Sequence, residues 1–295
     1  MWFILKKEVL KFIIILFKKV GLRIERYKKP SYINILEENN VSLIFDVGAN
    51  SGQFAKTLRE NKFKKKIISF EPTKKAYHKL VKSSLNDDFW IVHPRVAIGN
   101  KIGQTKINVA ANNGESSSIL EMGSVHKESA PHSVFVDEET VDLITIDSIF
   151  DNYAKKDDNI MLKIDVQGYE DQVLVGAKDN INKIKLIKLE LSLVNLYEGD
   201  KLFNFYFSKL QALGYKIWDL EPGHRKSYNG RLFQFDALFV RDNWILIVLS
   251  ANNNKLKSPK LSSWGFWILI QINYYSVTCF IESLTLPLSK PITLT

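Results

Sequence analysis

The stretch "MLKIDVQGYE" places Lys163 and Asp165 two positions apart in an apolar run, the spacing that puts both side chains on one side of a β-strand. A carboxylate at the end of such a strand can orient a hydroxyl or take its proton, and a neighbouring lysine keeps it ionised. Asp165 is therefore the candidate base and Lys163 its charge partner. Glu190, closing the apolar run "LIKLE", is the alternative base. The competing reading of Asp165 is a cap for the helix expected to begin near Gly168.

A second constellation lies in "LIFDVGANSGQF", residues 43–54. Asp46 closes an apolar run and is followed at once by Gly48, Asn50 and Gly52, a turn that lets a ligand approach the backbone closely. Glu71 closes the next run, in "IISFEP", where a carboxylate suits bidentate hydrogen bonding to the two hydroxyls of a ribose. Together they point to a nucleoside ligand. The G-A-N-S-G order lacks the G-x-G-x-x-G spacing of a pyrophosphate turn, and Asp46 would repel a pyrophosphate while suiting a cationic amino-acid tail. S-adenosylmethionine carries such a tail. On this reading Gly48, Asn50 and Gly52 wall the methionine part, Asp46 anchors its polar end and Glu71 holds the ribose.

The elements that must position these residues follow from periodicity. Strands are expected at 43–47, 66–71, 89–97, 160–165, 184–191, 215–220 and 232–240, with helices at 52–61, 73–84, 168–180 and 201–213. Alternation of the two types predicts an α/β fold with a mostly parallel sheet and helices on both faces, and ligands bind at the carboxyl ends of such strands. Residues 98–147 lack helical periodicity and read as strand-rich elaboration.

The ordered motifs "IFDVGANSGQF", "ISFEP", "VAIGN", "TIDSI", "MLKIDVQGYE", "LIKLELS" and "FDALFVR" resemble those of the FkbM family of S-adenosylmethionine-dependent methyltransferases. The resemblance spans residues 41–242. It implies a Rossmann-like methyltransferase fold, a seven-stranded sheet with an antiparallel last strand, and O-methylation of a sugar, glycan or other small hydroxylated metabolite. Many family members have Glu at position 167, where this chain has Gln167, so that position is given no catalytic role. The alternative functions are a nicotinamide-dependent oxidoreductase or epimerase, and an inactive membrane-associated module that binds the cofactor.

With 295 residues, 45% of them hydrophobic, the chain can bury one substantial core. A single cysteine, Cys279, excludes an intramolecular disulfide and a cysteine-based zinc cluster, and no metal site is assigned. The net charge of +9 is concentrated in residues 1–29, where nine Lys or Arg stand against Glu8 and Glu25. The remainder is near neutral, which argues against a nucleic-acid groove. Residues 1–30 read as an amphipathic basic helix that either packs on its own domain or lies on an anionic membrane. A cytoplasmic location, on the inner membrane face if that helix docks there, is the expectation. Residues 243–295 form an apolar extension of unknown role; 261–281 is long enough to span a bilayer but diluted by polar residues.

Several conspicuous residues carry bland readings. His93, His126, His132 and His224 are left unassigned, and Ser116, Ser117 and Ser118 read as a solvated turn. The alternation of Lys185, Lys188 and Glu190 with apolar residues is also compatible with a sheet edge.

Overall fold

A computed structural model describes residues 12, 15–19, 30–225 and 229–241. The extension at 243–295 and most of the segment 1–30, expected to be a basic helix, lie outside the described residues. Ten strands are present among them: β1 (Leu43–Val47), β2 (Lys66–Phe70), β3 (Trp90–Val92), β4 (Ala97–Ile98), β5 (Gly103–Ala110), β6 (Phe135–Ile144), β7 (Ile160–Ile164), β8 (Ile184–Ser192), β9 (Tyr215–Pro222) and β10 (Gln234–Arg241). Seven form one sheet in the order β3-β2-β1-β7-β8-β10-β9. All its pairings are parallel except those of β10, which runs antiparallel to β8 and β9. This is the α/β, Rossmann-like arrangement with an antiparallel last strand. Strands β4, β6 and β5 form a separate small sheet.

Helices α1 (Ser31–Glu38), α2 (Gln53–Glu60), α3 (Lys74–Ser84), α4 (Ser124–Ser129), α5 (Ile146–Tyr153), α6 (Glu170–Val175) and α7 (Phe203–Ala212) connect and cover the strands. Differences from the expected elements have local causes. The strand expected at 89–97 divides between two sheets, Trp90–Val92 pairing with β2 and Ala97–Ile98 with β6, and Pro94, which has no backbone N–H to give a ladder, lies between them. The helix expected at 168–180 is only Glu170–Val175. Helix α5 arises where no helix is expected; Thr145 caps it through a reciprocal bond with Ser148. Strand β8 lies between β7 and β10, so its lysines do not mark an edge.

The core explains the placement of the charged residues. Leu43, Phe45 and Val47 of β1, Leu162 and Ile164 of β7, and Leu189 and Leu191 of β8 pack on one face. Ile44, Met161, Leu186 and Leu238 pack on the other, beneath Tyr32, Ala55 and Leu58. That second face is apolar only along its amino-terminal half. By period two its carboxyl half carries Asp46, Lys163, Lys188, Glu190 and Asp236.

Among the described residues no helix is long and apolar enough to cross a membrane. Phe12, Ile15, Leu16 and Phe17 are exposed.

Candidate functional site

A cavity of about 870 Å³ opens at the carboxyl ends of the strands, where the sheet order reverses at β1 and β7. Its wall includes Gly48, Asn50, Glu71, Lys163, Asp165 and Glu190, six of the eight residues singled out from the sequence. Asp46 and Gly52 are not on it.

The turn after β1 is built from left-handed backbone. Gly48, Asn50 and Gly52 have φ of +72°, +46° and +87°. Asparagine tolerates this region better than most side chains. The Gly48 and Ala49 amides both donate to Phe70 O, which fastens the turn to the end of β2 and brings Glu71 beside it. A Cβ on Gly52 would meet the Trp90 ring at 2.6 Å, so Gly52 admits Trp90 behind the turn rather than shaping the ligand wall.

Glu71 is buried and lines the cavity. Its Oε2 accepts from the Asn50 amide at 2.9 Å, and its Oε1 accepts from the Thr73 amide at 2.8 Å and Thr73 Oγ1 at 2.6 Å. Burial raises its carboxyl above the usual range despite these bonds. Three of the roughly four lone-pair positions of a carboxylate are taken. One remains, on Oε2, so Glu71 as placed here can accept one further hydrogen bond rather than two.

Asp46, expected at the polar end of the ligand, is fully buried behind the wall and does not line the cavity. Its Oδ2 accepts from Ser69 Oγ at 3.0 Å and its Oδ1 lies 3.3 Å from Lys163 Nζ. Lys163 also donates to Gly48 O at 3.0 Å and stands 3.6 Å from Asp165 Oδ2. Burial works against its charge, but Asp46, Asp165 and Asp236 outweigh that and hold the ammonium above its ordinary range. Lys163 thus links the glycine turn to Asp165, with Asp46 as its nearest carboxylate.

Asp165 follows β7 directly, and its amide donates to Val47 O at 3.1 Å. It does not cap α6; Glu170 Oε1 accepts the Val166 and Gly168 amides instead. The Asp165 carboxylate accepts from Gln167 Nε2 at 2.9 Å. The same nitrogen donates to Glu190 Oε2 at 2.6 Å, where Gln234 Nε2 donates at 2.9 Å. Burial, then Asp165, Asp236 and Glu170, push the Glu190 carboxyl well above its usual range. Burial and these acidic neighbours both favour its neutral form.

The sequence reading missed four contributors. Gln167 and Tyr197 join the two acids, with Tyr197 OH donating to Gln167 Oε1 at 2.8 Å. Lys188 and Asp236 extend the charged wall as an ion pair. Their period-two spacing from Glu190 and from the apolar residues of β10 was the available signal. The serine turn is also not solvated: Ser118 is buried and its Oγ donates to Gln167 O at 2.6 Å, while Ser116 O accepts from Tyr197 OH at 3.1 Å.

Residues 46–217 match the Methyltransferase FkbM domain. The chain belongs to the FkbM methyltransferase family. No curated protein sequence matches it. Solved structures similar to this family member include an rRNA methylase from Streptococcus thermophilus, with 10% identity over 74% of this chain and 99% of that one at a TM-score of 0.38. Another is a precorrin-6y C5,15-methyltransferase from Geobacter metallireducens, with 8% identity over 74% and 93% of the two chains at 0.37. A third, TehB from Haemophilus influenzae, has 8% identity over 71% and 61% at 0.39.

Proposed function

We propose that this FkbM-family methyltransferase uses S-adenosylmethionine to methylate a hydroxyl of a sugar, glycan or other small hydroxylated metabolite. The observation that carries the reading is that one cavity joins the glycine turn and Glu71 to the Asp165 and Glu190 carboxyls. When bound, the cofactor supplies an electrophilic methyl on a sulfonium. Gly48 gives a wall without bulk on its methionine side, Asn50 holds the turn open beside it, and the open lone pair of Glu71 takes a ribose hydroxyl. Asp46 acts at one remove, through Lys163.

Asp165 orients the acceptor hydroxyl and takes its proton as the methyl transfers in line. Alignment is the larger contribution, with general-base help of about 100-fold to 10,000-fold. The wall favours a neutral or cationic acceptor: Glu115, Asp165 and Glu221 line it, and its lysines are already engaged, Lys163 by Asp46 and Asp165 and Lys188 by Asp236 and Glu221. A polyanionic nucleic acid meets the wrong charge there. We also place the protein on anionic membrane through residues 1–29, because Phe12, Ile15, Leu16 and Phe17 are exposed beside Lys18 and Lys19 in a strongly basic segment.

Calorimetry with S-adenosylmethionine, its demethylated product and NAD tests the cofactor. Binding of NAD alone would overturn the reading. Mass spectrometry of surface glycans from cells with and without the gene then tests the acceptor; the expected result is loss of one methyl-mass increment. Cofactor binding without any methylated product would leave the inactive binding module.

A further inference from the structure

Gln167 is neither acid nor base, yet its side-chain amide bonds at both ends. Nε2 donates to Asp165 Oδ1 and Glu190 Oε2, and Oε1 accepts from Tyr197 OH. Its φ of +55° is a conformation that non-glycine residues seldom adopt. Ser118 Oγ, bonded to its carbonyl at 2.6 Å, helps to hold it there. Backbone strain maintained by surrounding bonds is characteristic of functional positions.

Resting on the methyl-transfer reading above, we propose that Gln167 is the positioning residue of the acceptor site, holding Asp165 and Glu190 as one two-pronged unit of a base and a proton donor. Geometry makes the prongs unequal. Lys163 Nζ stands 3.6 Å from Asp165 Oδ2, whereas no cation forms a salt bridge with Glu190 among the described residues. The groups that face Glu190 are Asp165 after β7, Asp236 across the sheet on β10, Glu170 on α6 and the Tyr197 phenol. The nearby cations are committed elsewhere, Lys163 to Asp46 and Asp165, and Lys188 to Asp236 and Glu221.

The direction in which burial and these neighbours move Glu190 agrees with a neutral carboxyl. Gln167 and Gln234 both donate to its Oε2, so the proton belongs on Oε1. An acceptor with an oxygen next to its reacting hydroxyl satisfies both prongs: Asp165 takes one proton and Glu190 donates a hydrogen bond to the neighbouring oxygen. A vicinal diol, as in a sugar ring, has that form.

The test is a carboxyl-carbon NMR titration of protein labelled at Asp and Glu, with neither cofactor nor acceptor added, so its result is independent of whether S-adenosylmethionine binds. In the unaltered chain Glu190 is expected to stay protonated well above the ordinary carboxylate range. Gln167→Met removes a donor to the charged form and should move the Glu190 midpoint further up. Gln167→Glu should merge the Glu190 titration into coupled steps shared with the new carboxyl. Thermal unfolding identifies which variants fold. An ordinary Glu190 midpoint in the unaltered chain, or an unmoved one in whichever variant folds, would overturn the proposal and leave Gln167 a structural residue.

Discussion

A Cβ built on Gly48 would lie 1.8 Å from the main-chain oxygen of Asp165. The turn after β1 and the residue after β7 therefore meet backbone against backbone. Gly48→Ala must both adopt a left-handed φ, at about 1–2 kcal/mol, and push the two segments apart. Gly199, at φ +79° with no atom within 4 Å of a built Cβ, carries the first cost alone. Chemical denaturation should show Gly48→Ala losing distinctly more stability than Gly199→Ala. Equal losses would mean the two segments can separate freely.

Glu71→Ala should weaken S-adenosylmethionine by roughly 1.5–3 kcal/mol, the usual worth of a hydrogen bond to a charged group. Because Glu71 also holds the Asn50 and Thr73 amides, melting temperature must be measured beside calorimetry. Undiminished affinity in a folded variant would remove Glu71 from the ribose.

Two buried groups should give opposing pH slopes. Burial raises Glu170 from 4.5 to about 7, so its contribution is complete below 4.5 and is lost as pH rises through 7. Burial, with His224 and His132, lowers His126 from 6.5 to about 4; its contribution is complete above 6.5 and is lost as pH falls through 4. Each shift is worth a few kcal/mol at about 1.4 kcal/mol per unit. His126→Phe should make stability fall more steeply as pH rises through this window, and Glu170→Gln should make it rise. Urea midpoints across the window check this; parallel profiles for all three proteins would contradict it.

The limits of the sequence reading have the same physical origin as these couplings. Strands β1 and β7 were legible because Leu43, Ile44 and Phe45, and Met161, Leu162 and Ile164, are continuous apolar runs of strand length. Period two placed Lys163 and Asp165 on one side, but it fixes side and not depth. Likewise the end of an apolar run marked Asp46 as close to the cavity without showing that it lies behind Lys163. Gln167 was illegible because its meaning comes from Glu190 and Tyr197, 23 and 30 positions away. Helix α1, which turns Tyr32, Ile33, Ile35 and Leu36 inward, was not expected from the sequence.

Asp165→Asn keeps the shape of the side chain and removes its basicity. Folding and S-adenosylmethionine affinity should stay near those of the unaltered chain, while turnover falls by about 100-fold or more if general-base help is lost. Near-normal turnover, once an acceptor is found, would leave positioning alone to carry the rate.

Deleting residues 1–29 should abolish flotation with anionic vesicles at low salt and leave cofactor affinity intact, since the basic segment and the cavity wall share no residue. A full-length chain that ignores such vesicles would refute the membrane placement.

The small sheet of β4, β6 and β5 supplies Ala97, Ile98 and Ile107 to the cavity, and the segment after β5 adds Gly114, Glu115, Ser117 and Ile119. Among the described residues none of its strands pairs with the seven-stranded sheet, at whose strand ends Asp165 and the glycine turn lie. The two walls thus belong to different sheets and are joined where Ser118 holds Gln167 and Ser116 receives Tyr197. Mutation in β4 or β5 can reshape the room offered to an acceptor while Ser116, Ser118 and the spacing between Gly48 and Asp165 are inherited unchanged, so descendants of this chain can diversify in substrate without reinventing the transfer.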